Sequence, residues 1–258
     1  MTEINIDLIK DLRNQTGVSI MQCKKALEEA EGDLEKAKIA LTKRSGEIAA
    51  KKGDRELGAG VVTVKDNLIL ELACETDFVA NNEEFKNLAE QVIEVIIKNN
   101  LDVVEDNEEV ATILSEGTQK FGERIEVIRF EKYSGNVGSY VHVNNSVGAM
   151  VEFSTEVSDE LAKDISMHIT AQHPRYLKEE DINEEERQKA IDTLKEEVAD
   201  KPADMQEKIL AGKINSYFKE RVLLTQGFIK DPSKTVAKLL EEAGTEIKRY
   251  TRFGVGEA

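Results

Sequence analysis

Three histidines, two cysteines and many carboxylates are the side chains of this 258-residue sequence that could carry covalent or metal chemistry. None of them forms a Cys-x-x-Cys or His-Glu-x-x-His pattern, and the sequence has no Gly-x-Ser-x-Gly elbow and no phosphate-binding Gly-x4-Gly-Lys-Ser/Thr loop. Cys23 and Cys74 lie far apart in apolar segments, which predicts reduced, buried thiols. We therefore expect no metal and no cofactor, and a hydrolase is the least favoured class.

One segment instead places an aromatic side chain among short polar residues. Residues 74–82 read Cys-Glu-Thr-Asp-Phe-Val-Ala-Asn-Asn and join a predicted strand to the most regular amphipathic helix of the chain. One interpretation is a capping loop, in which the asparagines cap the helix and Phe78 or Val79 folds back on it. The alternative is a rigid probe that offers Phe78 to a pocket of a partner and places Asp77 near a cation.

The charge balance indicates which partners to exclude. Acidic residues outnumber basic residues by 51 to 35, a net charge of −16, so nucleic acid and anionic membranes would repel the chain. Charged residues interrupt every apolar stretch, and the N-terminus shows no secretory pattern. We expect a cytoplasmic protein that makes no direct contact with nucleic acid or a membrane.

The elements that must position the probe segment belong to a predicted α+β fold. Three short helices come first, the second and third starting after the N-cap residues Ser19 and Asp33. Residues 1–52 hold ten basic and nine acidic side chains, so the acidic excess lies in the rest of the chain. This charge difference marks the three-helix bundle as a separate module.

Two ββααβ units with antiparallel sheets follow the bundle. Each unit begins with a hairpin and closes with a strand, and a shift of 81 positions superposes Glu71 on Glu152. Two antiparallel helices, a short coiled coil, interrupt the second unit, and Asp231-Pro232-Ser233 is predicted to start the next helix. The predicted domains are 1–53 for the helical bundle, 54–136 for the first core subdomain, 137–178 with 226–258 for the second, and 179–225 for the inserted hairpin.

Five short motifs are spread over the whole chain. They are Thr76-Asp77-Phe78-Val79, Thr16-Gly17 followed by Met21–Leu27, Gly138–His142, Met167-His168 and Pro232–Val236. Taken in chain order, they resemble the bacterial translation elongation factor Ts family, the exchange factors of elongation factor Tu. The resemblance also implies an N-terminal domain similar to ubiquitin-associated (UBA) domains, hence UBA-like.

The resemblance implies a guanine nucleotide exchange factor that binds elongation factor Tu·GDP, displaces Mg²⁺ and promotes GDP release so that GTP can rebind. No covalent chemistry and no cofactor of its own are implied. The residues matching the family segment that dislodges Mg²⁺ are Thr76, Asp77, Phe78 and Val79. The other implied contacts with elongation factor Tu are Arg13, Ile20, Met21, Lys24, Lys52, Phe121, Gly122 and His142.

Two further implications and one rival interpretation stay open. Some family members associate through the hairpin, so the resemblance allows a homodimer through residues 179–225. Other members continue past residues 252–257 into another helical module, whose contacts we expect to be absent here. The rival is a non-catalytic adaptor, because UBA domains bind partners without changing a nucleotide state.

Overall fold

Three helices form the N-terminal part of this computed structural model, which describes residues 5–51, 55–200 and 202–257. They are α1 (Ile6–Thr16), α2 (Ile20–Glu29) and α3 (Leu34–Lys51). Asn5, Ser19 and Asp33 cap them by accepting hydrogen bonds from first-turn amides, as predicted for the last two. The helices enclose a core of Ile9, Leu12, Val18, Cys23, Ala26, Leu27, Ala30, Ala37 and Leu41. The predicted three-helix bundle is thus present, and its α3 also packs on a later helix, Glu108–Phe121.

The first sheet consists of a hairpin and a third strand beside it. β1 (Ala59–Lys65) pairs antiparallel with β2 (Leu68–Cys74), and β2 pairs antiparallel with β3 (Glu126–Lys132). Between β2 and β3 lie α4 (Asp77–Ala80), α5 (Glu83–Lys98) and α6 (Glu108–Phe121). The predicted apolar stripe of α5 is buried, and α5 packs on β1 and β2. Because β2 is buried along its whole length, the segment that leaves it starts from a fixed position.

The second sheet repeats this order of elements. β4 (Asn136–Val141), β5 (Val147–Phe153) and β8 (Ile247–Gly254) form a sheet in the order β4-β5-β8. The helices α7 (Asp159–Gln172) and α10 (Val236–Ala243) belong to the same unit and share one apolar core with β5. The α+β class predicted from sequence is therefore confirmed.

Two antiparallel helices interrupt the second unit, as predicted. α8 (Glu184–Val198) packs on α9 (Ala203–Lys219). The acidic stretch is not helical from residue 179 onward, because a short 3₁₀ turn (Glu179–Asp181) comes first and Asn183 caps α8. Among the described residues, no helix is both long and apolar enough to cross a lipid bilayer.

One local prediction in the second unit was wrong. Asp231-Pro232-Ser233 does not start a helix but lies in β7 (Asp231–Thr235), which pairs with β6 (Gly227–Phe228). The N-cap of α10 is Thr235, whose hydroxyl accepts the Lys238 amide at 3.2 Å. Proline lacks an amide donor and has a fixed φ, so it fits a short edge strand as well as a first helical turn.

The chain divides into two compact units, and each unit consists of segments that are not contiguous in the sequence. Besides the described residues up to 132, the first unit contains 143–147 and 253–257, whereas the second contains 133–142 and 148–252. The N-terminal bundle and the first sheet thus belong to one unit. The domain boundaries derived from the sequence remain predictions.

Candidate functional site

Residues 76–80 form a single helical turn that holds an aromatic ring in solvent. Thr76 caps α4, and its Oγ1 accepts the Val79 amide at 3.5 Å. Phe78 is 85% exposed and Asp77 is exposed, while Val79 packs against the apolar core of the first unit. The sequence predicted a loop here, and the structure shows one helical turn instead. It also decides which of Phe78 and Val79 packs on the protein. Val79 folds back on the protein and Phe78 does not.

Two carboxylates fix the base of this turn. Glu123 Oε2 accepts the backbone N–H groups of Glu75 at 3.1 Å and Thr76 at 3.0 Å. Glu123 Oε1 accepts the Thr76 hydroxyl at 2.6 Å. In return, Glu75 accepts the backbone N–H of Arg124 at 2.8 Å and the Arg55 guanidinium at 2.6 Å. We call this arrangement of Glu75, Thr76, Glu123, Arg124 and Arg55 the carboxylate clamp.

The carboxylate clamp could not be identified from the sequence. Glu123 is far from Thr76 along the chain, and glutamate is so common here that no pattern distinguishes it. Its one local signal is its place directly after Gly122, which ends α6 with φ 69°. A left-handed residue reverses the chain direction at a helix end, so Glu123 points away from the helix path. The antiparallel pairing of β2 and β3 then brings the two segments together.

The turn also covers a buried thiol. Cys74 Sγ donates a hydrogen bond to the Thr76 carbonyl at 3.2 Å. Burial, and secondarily the charge of Glu123, raises the pKa of Cys74 to about 12. Cys74 therefore stays a neutral donor at physiological pH and supports the turn without reacting. Cys23 and Cys74 are both free and buried, so the prediction of reduced thiols is confirmed.

Phe121 and Gly122 lie at the end of α6, next to the clamp. The Phe121 ring meets the buried Phe85 ring edge-on, with centroids 5.9 Å apart. Phe121 is half-buried, so it braces the helix end and still presents part of its ring. The Gly122 N–H donates to the Thr118 carbonyl at 2.9 Å and ends the helix there. Both residues thus adjoin the turn that carries Phe78.

The predicted contact residues of the bundle cluster around the start of α2. Arg13, Ile20, Met21 and Lys24 are all exposed, and the exposed fractions of Ile20 and Met21 are 57% and 77%. Lys24 forms an ion pair with Glu28 at 3.8 Å. We call Arg13, Ile20, Met21 and Lys24 the bundle patch. Two apolar side chains beside two cations form a mixed surface suited to protein binding.

A glycine brings the bundle close to the end of α6. This helix end lies beside the helical turn of residues 76–80, which we call the probe turn. Gly17 joins α1 to α2 with φ 67°, and a Cβ at this position would lie 3.3 Å from the Lys120 side chain. Lys120 directly precedes Phe121, and its Nζ pairs with Glu84 at 2.7 Å. The α1–α2 turn therefore rests on the end of α6, which in turn leads into the clamp.

The described first unit contains neither of the other two predicted contact residues. His142 is exposed just after β4 and belongs to the second unit. Lys52 lies outside the described residues. The described part of the first unit thus gathers the bundle patch, Phe121, Gly122 and residues 76–79. Within the described residues, no group of three or more His, Cys, Asp or Glu side chains could hold a metal ion.

Comparison with known proteins assigns these features to a family. The sequence profile described as Elongation factor TS matches residues 75–257. A relative from Marinobacter nauticus named Elongation factor Ts is 40% identical over 268 residues, covering 100% of this chain and 92% of its own. A relative of the same name from Halothermothrix orenii is 37% identical over 277 residues, covering 98% and 93%. Another, from Chloroherpeton thalassium, is 36% identical over 292 residues, covering 100% of both chains.

The fold and these matches define an α+β protein that acts as a translation elongation factor. More specifically, the chain belongs to the elongation factor Ts family. The family resemblance inferred from the short motifs is thereby confirmed.

Proposed function

We propose that this chain is the guanine nucleotide exchange factor of elongation factor Tu. It binds the GDP form, displaces Mg²⁺ and promotes GDP release, so that GTP can rebind. The observation that carries the proposal is the 85% exposure of Phe78 on a turn held by the carboxylate clamp. An exposed phenyl ring lacks the roughly 1.5–3 kcal/mol of stabilising free energy that burial of such a side chain provides. A pocket on a partner would supply that burial. The name shared by the relatives supports the same conclusion.

Exchange by this route needs no covalent step. A protein that prefers the nucleotide-free partner lowers nucleotide affinity by the same factor by which nucleotide lowers its own affinity. Phe78 acts as the wedge, and the neighbouring carboxylate of Asp77 disturbs the ligands of Mg²⁺. Thr76 caps the turn and Val79 anchors it to the core. In this proposal the chain has no catalytic residue and no resident cofactor.

The bundle patch provides the docking surface. Ile20 and Met21 form an apolar centre, with Arg13 and Lys24 as charged neighbours. In the proposal these four residues bind the nucleotide-binding domain of elongation factor Tu. Phe121 and Gly122 extend the contact toward the probe turn. His142 contacts the partner near its phosphate loop, and Lys52 lies at the margin of the interface.

We also propose that the protein is cytoplasmic. Its net charge of −16 disfavours direct contact with nucleic acid or anionic membranes.

Self-association through α8 and α9 would give a homodimer. Light scattering during size exclusion tests this point: the expected mass is twice the 28.8 kDa of one chain, and a monomeric mass at working concentration would contradict it.

The test is the release of a fluorescent GDP analogue from cognate elongation factor Tu in excess Mg²⁺ and unlabelled GDP. We expect strong acceleration by the wild-type chain, and loss of most of it in Phe78→Ala. Val103→Ala is the matched control, since it also removes an exposed apolar side chain of the first unit. Stable binding without acceleration would contradict exchange and favour the adaptor. A similar loss in the control would contradict the wedge.

A further inference from the structure

The orientation of the exposed ring depends on the backbone that carries it. Phe78 is 85% exposed, so little packing within the protein restrains its side chain. Its position is therefore set by the turn, and the turn begins at Thr76. We infer that Glu123, with Glu75 as its counterpart, is the positioning residue that keeps Phe78 in the geometry needed for exchange. This inference rests on the proposed function.

Glu123 accepts hydrogen bonds from three donors that have no acceptor within the turn. The first amides of a helical turn have no partner within it, and the Glu75 and Thr76 amides precede α4. Glu123 Oε2 accepts both of these amides, while Oε1 accepts the Thr76 hydroxyl at 2.6 Å. Hydrogen bonds to a charged acceptor are about twice as strong as neutral ones. One side chain thus fixes two consecutive peptide groups and the cap.

Glu75 closes the clamp from the other side. Its carboxylate accepts the Arg124 amide and the Arg55 guanidinium, and only 9% of its side chain is exposed. Arg124 also donates to Glu126, at the start of β3. Since β2 ends at Cys74 and β3 begins at Glu126, the clamp joins the ends of two paired strands. The turn is thereby attached to the paired ends of β2 and β3.

Loss of the clamp should act on the exchange step more than on docking. A displacement of about 1 Å in a group that must meet its target precisely can reduce a rate by about 100-fold. The bundle patch lies on α1 and α2. Its proposed contacts with elongation factor Tu do not involve Glu123. We therefore expect the release rate at saturating factor to fall, while the half-saturating concentration stays nearly constant.

The experiment compares Glu123→Ala, Glu123→Gln and Glu116→Ala. Glu116 is exposed on α6, which ends just before Glu123, so its variant removes the same charge as a matched control. Gln keeps an oxygen that can accept both amides and an NH₂ group that faces the Thr76 hydroxyl. Amide hydrogen exchange is measured on each free protein. Release of the fluorescent GDP analogue is then titrated with each variant, and thermal unfolding confirms that each one folds.

We expect Glu123→Ala to speed hydrogen exchange at the Glu75 and Thr76 amides at least about tenfold, with the amides of α5 unchanged. Its saturating release rate should fall about 10- to 100-fold, with less than about threefold change in half-saturation. Glu123→Gln should recover most of both losses. Glu116→Ala should match the wild type.

Three results would overturn the inference. Unchanged amide exchange in Glu123→Ala would show that the clamp does not hold the turn, whatever the release assay gives. Faster amide exchange together with an unchanged release rate would show that positioning does not matter. If the wild-type chain does not accelerate release, the proposed function fails in that control, and the positioning role fails with it.

Discussion

Phe78 and Phe85 are two aromatic side chains, seven positions apart, with opposite environments. Phe85 is fully buried beneath the first sheet, whereas Phe78 is 85% exposed. Phe85→Ala should therefore lower the free energy of unfolding by about 3–5 kcal/mol, because it leaves a cavity. Phe78→Ala should stay within about 0.5 kcal/mol of the wild type, as at most exposed sites. Urea unfolding measures both. A marked loss in Phe78→Ala would contradict its assignment to binding rather than folding.

His168 is a buried histidine with a defined proton position. Its Nε2 lies 2.9 Å from Gln226 Oε1, and its Nδ1 accepts the Ile229 amide at 3.2 Å, so the neutral ring carries its proton on Nε2. Burial lowers the pKa of His168, and the Gln226 hydrogen bond offsets this only in part. The unfolded chain therefore takes up the proton first as pH falls.

The stabilisation from neutral His168 should be complete above the unfolded pKa of about 6.5. It should decrease as pH falls through that value toward the lower folded pKa. Urea unfolding between about pH 8 and 5 measures this slope, which should be shallower in His168→Gln. The same slope in both proteins would contradict the account.

At the scale of elements, the two sheets contain matching ion pairs, each formed by a buried glutamate. Glu71 on β2 accepts Arg129 Nε from β3 at 2.7 Å, and Glu152 on β5 accepts Arg249 Nε from β8 at 3.1 Å. Each guanidinium also stacks on an aromatic ring: Arg129 lies 4.5 Å from the Phe253 centroid, and Arg249 lies 4.0 Å from that of Tyr133. Glu71 and Glu152, which lie 81 positions apart in the sequence, therefore occupy equivalent positions in the two sheets.

Removing the glutamate leaves the guanidinium without its charged acceptor. Glu71→Ala should lower the free energy of unfolding by about 1.5–3 kcal/mol, because Arg129 then keeps only the Gly254 and Glu257 carbonyls as acceptors. Glu94 is the matched control, since it pairs with Lys65 on the exposed surface, and Glu94→Ala should cost less than about 1 kcal/mol. Urea unfolding of both variants gives the comparison. Equal losses would show that burial of the Glu71 pair has no energetic weight.

Long periodic elements could be predicted from the sequence, and short ones could not. The apolar stripe of α5 and the caps Ser19, Asp33 and Asn82 locate helices by local patterns. The four residues of α4 are too few to show a period, so their helical turn depends on Thr76 and Glu123. Pro232 fits either a helix start or an edge strand, and only pairing with β6 decides between them.

The candidate site, too, could be predicted only in part from the sequence. Residues 76–79 stood out by composition and by family resemblance, yet the exposure of Phe78 depends on which neighbour fills the core, and Val79 does. The clamp could not be predicted, because the antiparallel pairing of β2 and β3 brings Glu75 beside Glu123 from a distant part of the chain. Contacts of this kind leave no local pattern in the sequence.

At the scale of the whole molecule, docking and exchange are assigned to different parts of the first unit. The bundle patch lies on helices whose core is separate from that of the sheet. The probe turn is fixed to the sheet by the carboxylate clamp. Gly17 and Lys120 connect the two regions. A factor built in this way should lose affinity and exchange rate through different substitutions.

The most direct test of the account is a titration of GDP release from elongation factor Tu with the wild-type chain, Phe78→Ala and Met21→Ala. We expect Phe78→Ala to lower the saturating rate by at least about tenfold at nearly constant half-saturation, since it removes a contact made only during exchange. Met21→Ala should raise the half-saturating concentration and leave the saturating rate nearly unchanged. If Phe78→Ala reaches the wild-type rate at saturation, Phe78 serves only docking, and the central claim is contradicted.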